Sequence, residues 1–579
     1  MLKGRNMFCQ YFFLTIMITF SPSTYTQIKF ESMATDLGID YSTGSTNMGN
    51  GVSFYDFDND GWDDLTFASE DGKNIKFFKN KNGIFSSVSL NITSVNYETR
   101  QVNWVDIDND GDKDLFITSN TNRNILFENT GTLNFKEITT SAGLPTDNLF
   151  TYGASWGDYN NDGFLDVFIA NRDINLLTQT PNYLFKNNGN NTFTDVSLSA
   201  GIDRLEHLSF CSAFFDFNND GLQDIYISND KAISPNQLYK NNGDNTFTEV
   251  GSLTGTNLKI NAMTVTIGDF NNDGWFDIYV TDLLKSILFR NNGDETFTDV
   301  ALSSGTKFNS VGWGSVFLDA DNDKDLDLYV SGSYFNDPNF ASSSFYENLN
   351  DGTFVIPSDA GFANDQGYSH SNAIGDINND GLPDFVVTNT NNQNVVVWQN
   401  KNTENNHWLK VDLEGTVSNK DGIGSLIEIS INGKKQFRYT HCGEGYLSQN
   451  SSTEFFGLGT STLIDYVKVK WLSGKEDVFN DVTSNQKIHI VEGTALLSIP
   501  KSENIIVSAS PNPVIDNLFI RSKIPVNNIR IYNILQQLVY SNTDFIFDES
   551  IKFSAFESGV YFLNFMIENQ SKTLKIIKK

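Results

Sequence analysis

The sequence predicts an all-β chain: a seven-bladed β-propeller followed by a small β-rich domain and a C-terminal β-sandwich. Three observations carry this expectation. A loop of the form D-x-[DN]-x-D-x-x-x-D occurs seven times, starting at Asp56, Asp106, Asp158, Asp216, Asp269, Asp319 and Asp376, with starts 50 to 58 residues apart. After each loop, apolar residues alternate, as in DLFITSN, DIYISND and DLYVSG, which is the period-two pattern of a strand. Finally, the segment that ends most repeats, seen in FTDVSLSAGI and FTDVALSSGT, also opens the array as FESMATDLGI at Phe30, whereas the seventh repeat stops near Trp398 without it. An N-terminal strand that completes the last repeat closes a ring and leaves no exposed edge. A linear solenoid would instead need atypical capping repeats at both ends. A hairpin such as LFKNNGNNTF brings each repeat to about four short strands, the content of one blade.

Composition narrows the function classes. The chain has 579 residues with 71 acidic against 40 basic, a formal net charge of −31. Nucleic-acid binding needs basic patches, which are absent, so a nucleic-acid partner is excluded. Such an excess of carboxylate suits a chain that takes up cations.

The loops have the chemistry for calcium, which prefers about six to eight oxygen ligands, many of them carboxylates. Side-chain oxygens come from positions 1, 3, 5 and 9 and a backbone carbonyl from position 7. These are Asp56, Asp58, Asp60, Trp62 and Asp64 in loop 1, and Asp106, Asp108, Asp110, Asp112 and Asp114 in loop 2. Loop 3 offers Asp158, Asn160, Asp162, Phe164 and Asp166; loop 4 offers Asp216, Asn218, Asp220, Leu222 and Asp224. Loop 5 offers Asp269, Asn271, Asp273, Trp275 and Asp277; loop 6 offers Asp319, Asp321, Asp323, Asp325 and Asp327. Loop 7 offers Asp376, Asn378, Asp380, Leu382 and Asp384. About seven structural calcium ions are expected. Position 6 is glycine, as at Gly61, except in loop 6, where Lys324 stands and a site is still expected. Asp, Asn and Gly also make plain turns, but turn-making never requires Asp at position 9 seven times, and three or four carboxylates in one loop repel unless a cation neutralises them. An EF-hand loop begins in the same way but needs Glu at position 12. Here that position holds Phe67, Ile117, Ile169, Ile227, Val280, Val330 and Val387, so the EF-hand fails.

The loops and the FTDV…AGL-type segments together resemble the FG-GAP/VCBS repeats of integrin-α-like propellers over roughly residues 28–400. That resemblance implies structural calcium within the blades at the matching Asp and Asn positions, and it names no ligand.

From NHWLKVDLEG onward the pattern changes, through NKDGIGSLIEISINGKKQFRY, GEGYLSQNSS and FFGLG to DYVKVKW. The segment resembles the ASPIC/UnbV domain at His407, Trp408, Leu409, Gly422, Gly424, Gly445, Tyr446, Ser448, Gln449, Gly457, Gly459 and Trp471; Ser425 departs from the usual alanine. Its Gly-x-Gly is a tight turn, because no helical pattern follows it to cradle a phosphate. The last stretch, from Ser508 to Lys579, carries Pro511-Asn512-Pro513, Gly559-Val560-Tyr561 and a basic tail. It resembles the type A C-terminal sorting domain of the type IX secretion system, which implies export across the outer membrane and a secreted or surface-attached protein that meets that machinery. At the other end, Lys3, Arg5 and the mostly apolar run Phe8–Phe20 read as a signal peptide, and no later segment reaches the roughly 20 apolar residues of a spanning helix. The organisation is thus a signal peptide at 1–26, the propeller at 27–402, the ASPIC/UnbV-like domain at 403–493, a linker at 494–504 and the sorting domain at 505–579.

The expected function is a non-catalytic, calcium-rigidified binding or adhesion module for a glycan or an extracellular protein. An extracellular polysaccharide-processing enzyme and a purely structural envelope scaffold are the alternatives. No H-E-x-x-H or C-x-x-C motif appears, and His441 and Cys442, as strand neighbours, point to opposite faces. Trp156 and Trp313 are the candidate glycan-stacking aromatics, equally suited to a core.

Overall fold

The computed structural model describes residues 28–495 apart from 174–179, 206, 232, 334–336, 338 and 404, and residues 507–579 apart from 535–536, 544–545 and 568–569. The signal-peptide segment and most of the linker lie outside the described residues. Nearly all regular structure is strand; the helical turns Gly251–Thr254 and Ala301–Ser304 are the only α-helices among the described residues. The chain divides into two compact units, Met1–Leu497 and Ser498–Lys579.

The first unit contains seven repeat sheets, each with four antiparallel strands; the first sheet gains a fifth, parallel strand from Ser448–Gln449. In the third sheet the strands are Thr151–Gly157, Asp166–Asn171, Tyr183–Asn187 and Phe193–Asp195. The first two strands of that sheet are buried along their whole length, whereas only Phe193 of the fourth is buried. Strands buried on both faces need apolar side chains on both, which the VFIA-type runs supply. The seventh sheet takes its fourth strand from the start of the chain: Phe30–Ser32 pairs with Val396–Asn400 in the register Phe30↔Asn400 and Ser32↔Trp398. The displaced FESMATDLGI segment therefore supplies the strand that the seventh repeat lacks. Val52, Phe54, Leu65 and Phe67 of the first sheet share one buried cluster with Ala373 and Val386 of the seventh.

Residues 407–491 add two sheets to the same unit. One joins Glu454–Gly459, His407–Glu414 and Gln486–Val491; the other joins Lys434–Tyr439, Leu426–Ile431, Leu463–Lys470 and Glu476–Thr483. Leu409, Val411, Ile427, Ile429, Phe456, Val467 and Trp471 form their common core. Between these sheets the stretch from His441 to Ser452 runs along the first strands of all seven repeat sheets. Ser448–Gln449 pairs in parallel with Val52–Tyr55 of the first sheet. Gln449 Oε1 accepts from Ser53 Oγ and from the Trp104 amide, both at 2.8 Å, and its Nε2 donates to the Trp104 carbonyl at 2.6 Å. The third sheet donates Trp156 N–H to the Cys442 carbonyl, and Gly445 N–H donates to Val265 beside the fifth sheet, both at 2.9 Å. His441 Nδ1 lies 3.1 Å from the Phe214 carbonyl of the fourth sheet, and Asn450 Oδ1 accepts from Ile374 N–H of the seventh at 3.0 Å. Tyr446 packs on Phe210 and on Trp313 of the sixth sheet, with ring centroids 5.5 and 5.1 Å apart.

The second unit is built on one long strand, Asn517–Asn533, which pairs with Val507–Ser510 and Ile546–Lys552 along its first half and with Leu538–Asn542 and Gly559–Ile567 along its second. Gln570–Lys578 pairs with Gly559–Ile567, and Leu518, Ile520, Ile529, Ile531, Phe553 and Leu563 are buried together.

Candidate metal centres

Each acidic loop joins the first and second strands of its sheet, and the second strand begins at the position-9 aspartate, as at Asp64, Asp166 and Asp384. Position 12 then falls inside that strand and is buried in every sheet, from Phe67 to Val387. That placement excludes the EF-hand on geometry as well as on residue type.

The loops fold alike. The position-1 carboxylate accepts the N–H of position 5 and of position 6: Asp56 from Asp60 at 3.0 Å and Gly61 at 2.7 Å, Asp158 from Asp162 at 3.0 Å and Gly163 at 2.9 Å. The position-5 carboxylate accepts the N–H of position 7, as Asp60 does from Trp62 at 3.1 Å and Asp110 from Asp112 at 2.8 Å. Position 9 is buried in all seven loops, and one of its oxygens accepts a backbone N–H from the third strand: Asn80 to Asp64 and Asn129 to Asp114, both at 2.7 Å, and so on to Asn400 to Asp384. In loops 2 to 7 the other oxygen accepts the position-2 N–H, as Asp384 does from Ile377 at 2.8 Å; in loop 1, Asp64 Oδ2 is buried with no hydrogen-bond partner.

Three of the predicted sets bring carboxylates together as a group that can hold a metal ion: Asp56, Asp58 and Asp64; Asp106, Asp108 and Asp114; and Asp319, Asp321 and Asp323, with ligand atoms within 4.8 Å of one another. In the other four loops position 3 is Asn160, Asn218, Asn271 or Asn378, an oxygen donor without charge; Asn160 Nδ2 donates to Asp162 Oδ2 at 3.0 Å. Basic side chains lie against some loops. Lys79 contacts Asp58 and Asp60, Lys186 lies 3.0 Å from Asp162, and Lys410 lies 2.8 Å from Asp376.

Without a cation, burial raises the titration of several loop carboxylates. Asp64 is pushed up to about 9, chiefly by burial, with Asp58, Asp56 and Asp60 adding to the shift. Burial also takes Asp158 and Asp269 to about 7 and Asp56 and Asp216 to about 6. The unfolded chain releases these protons near 3.8, so between about pH 4 and pH 9 the cation-free folded state binds more protons, and its stability falls as pH rises. A divalent cation held by these carboxylates would take the place of the protons and remove their part of that slope. Melting curves from pH 5 to pH 9 with and without chelator should show a steeper decline in chelator.

Loop 6 keeps the common geometry despite its lysine. Lys324 N–H donates to Asp319 Oδ2 at 3.0 Å, as glycine does elsewhere, but its φ is 95°, a region open to glycine and strained for other residues. With cation bound, Lys324→Gly is expected to raise stability by about 1 kcal/mol, read as an increase in the denaturation midpoint. An unchanged or lowered midpoint would mean that the lysine side chain outweighs the strain.

Two sets of residues were missed by reasoning from ligand chemistry alone. The position-4 asparagines, Asn59, Asn109, Asn161, Asn219, Asn272, Asn322 and Asn379, all adopt positive φ. The third-strand asparagines Asn80, Asn129, Asn187, Asn241, Asn291, Asn348 and Asn400 are all buried beside position 9. Their signal was recurrence in register within this chain, masked because asparagine also marks ordinary turns. Other residues that stand out in the sequence lie mostly in the interior. Trp156 and Trp313 are buried, at 1% and 7% exposure, rather than presented to solvent. Gly153-Ala154-Ser155-Trp156-Gly157 has the G-x-S-x-G spacing, but it lies inside strand Thr151–Gly157, and buried Ser155 pairs with Ser212 at 2.6 Å. His441 and Cys442 approach different sheets, and burial pushes the Cys442 thiol well above its ordinary range.

Comparison with known proteins places family matches on three parts of the chain. The FG-GAP-like repeat family matches residues 56–117, 106–169 and 216–280; ASPIC and UnbV matches 415–497; the secretion system C-terminal sorting domain matches 508–579. Cartilage acidic protein 1 of Homo sapiens is 23% identical over 388 residues, covering 66% of this chain and 49% of that protein. The Xenopus tropicalis protein of the same name is 24% identical over 329 residues, covering 56% and 42%. The chain thus spans about half the length of the curated relatives it matches. Among solved structures, a lectin of Agrocybe aegerita that recognises non-reducing terminal N-acetylglucosamine aligns with a TM-score of 0.37 at 18% identity, over 59% of this chain and 90% of the lectin. The Vibrio cholerae biofilm matrix protein Bap1 aligns with a TM-score of 0.27 at 13% identity, over 93% and 88%. The chain carries FG-GAP-like repeats, an ASPIC/UnbV domain and a type IX secretion C-terminal sorting domain, and is a secreted or cell-surface protein.

Proposed function

We propose that the seven sheets close into a seven-bladed propeller whose loops hold about seven structural calcium ions, and that the protein is a non-catalytic binding or adhesion module at the cell surface. The observation that carries the ring is the junction between its ends: Asn379 of loop 7 donates to the Gly61 carbonyl of loop 1 at 3.1 Å, in the geometry that joins loop 1 to loop 2, where Asn59 donates to Gly111 at 3.0 Å. Calcium suits the oxygen-only donor set of positions 1, 3, 5 and 9. Its role is structural, because the position-9 carboxylates are buried and tied to the third strand. The 441–452 stretch fills the centre of the ring, which directs a glycan or protein partner to the outer surfaces. The sorting domain supplies the contact with the secretion machinery.

A glycan array probed with the calcium-loaded protein tests the binding role. Calcium-dependent retention of one sugar class supports it. Release of reducing ends from a polysaccharide panel would contradict the non-catalytic reading.

A further inference from the structure

We propose that the seven loops take up calcium as one linked set, the linkage carried by two relays of asparagine side chains; this rests on the calcium reading above. In the first relay a position-4 asparagine donates from Nδ2 to the position-6 carbonyl of the next loop. The bonds are Asn59 to Gly111 at 3.0 Å, Asn109 to Gly163 at 2.8 Å, Asn219 to Gly274 at 3.0 Å, Asn272 to Lys324 at 3.0 Å, Asn322 to Gly381 at 3.2 Å and Asn379 to Gly61 at 3.1 Å. The residue at position 6 also donates its own N–H to the position-1 carboxylate, as Gly274 does to Asp269 at 2.9 Å. Each asparagine is thus flanked by the ligands at positions 3 and 5 of its own loop while it grips the backbone that orients position 1 of the next.

The second relay runs the other way. A third-strand asparagine donates its N–H to the position-9 carboxylate of its own sheet and its Nδ2 to the position-2 carbonyl of the preceding loop. Asn187 reaches Ile107, Asn241 reaches Tyr159 and Asn291 reaches Phe217, each at 2.8 Å. Asn348 reaches Phe270 at 2.9 Å, Asn400 reaches Ala320 at 2.7 Å and Asn80 reaches Ile377 at 2.9 Å. Five of the seven loops are therefore held from both sides; loop 4 lacks the first bond and loop 1 the second, so every junction between neighbouring loops carries at least one of the two. A cation that draws the carboxylates of one loop inward fixes peptides on which the adjoining loops hang, so the next ion meets a loop already partly ordered. That shared ordering is a positive coupling between sites. The asparagines act as positioning residues and touch no ion themselves.

Calcium titration of the full chain, followed by calorimetry, tests this. The wild type is expected to give a Hill coefficient above unity. Asn272→Gly and Asn219→Gly retain every ligand and accept the same positive φ, so they remove only the relay. Each should weaken half-saturation about 5-fold and flatten the curve. Asn161 makes no such bond, so Asn161→Gly should leave the curve as it is. A wild-type Hill coefficient of unity with several ions bound would overturn the linkage and leave the calcium sites standing, as would identical curves for Asn272→Gly and Asn161→Gly. If a variant fails to fold, the wild-type slope alone decides. Absence of calcium uptake would overturn the metal reading, and the linkage with it.

Discussion

Chelation with EGTA is expected to lower the melting temperature of the protein by about 10 °C or more, with calcium restoring it. An ion that binds only the folded state stabilises it by about 2.7 kcal/mol per site when present at a hundredfold its dissociation constant. Several filled loops therefore contribute on the order of 10 kcal/mol, comparable to the entire stability of an ordinary domain. The burial of the position-9 carboxylates sets the cost of removing the ions. Asp64, Asp114, Asp166, Asp224, Asp277, Asp327 and Asp384 are buried, and in loop 1 Asp64 Oδ2 has no hydrogen-bond partner at all. Lys79, Lys186 and Lys410 lie against loops 1, 3 and 7, so chelation should destabilise the protein rather than unfold it outright. Differential scanning calorimetry in calcium and in EGTA measures this, and superimposed curves would mean that the loops are plain turns.

The second large effect is expected at Tyr446. Its side chain is fully buried between Phe210 and Trp313, and its hydroxyl donates to the Met48 carbonyl at 2.8 Å. Tyr446→Ala removes the largest side chain of the stretch that touches all seven sheets, and should cost about 3–5 kcal/mol. Tyr446→Phe keeps the ring and leaves one carbonyl unpaired, at about 1 kcal/mol. Chemical denaturation of both variants separates packing from hydrogen bonding. Equal midpoints for Tyr446→Ala and wild type would show that the 441–452 stretch does not support the sheets.

The strands, the seven loops and the strand exchange at Phe30 were legible in the sequence because each repeats with a fixed period, so every copy corroborates the others. The position-12 residues were equally informative, since one apolar side chain in a strand is enough to exclude a Glu ligand. The path of 441–452 was not legible. HCGEGYLSQNSS has neither strand nor helix periodicity, and the partners of Gln449 at Ser53 and Trp104 lie more than 300 residues away. Trp156 and Trp313 could be read as surface or core until that stretch was placed, because it is part of what covers them. The asparagine relays were in view as letters but not as contacts, since their bonds run between repeats and a single repeat does not show them.

The most direct test of the central claim is the calcium content of the purified full chain, measured by inductively coupled plasma mass spectrometry after dialysis against micromolar calcium. About seven ions per chain are expected, falling by about one for Asp64→Asn, whose side chain keeps the size of the ligand but loses its charge. A chain that retains no calcium, or an Asp64→Asn variant that retains as much as wild type, would contradict the assignment.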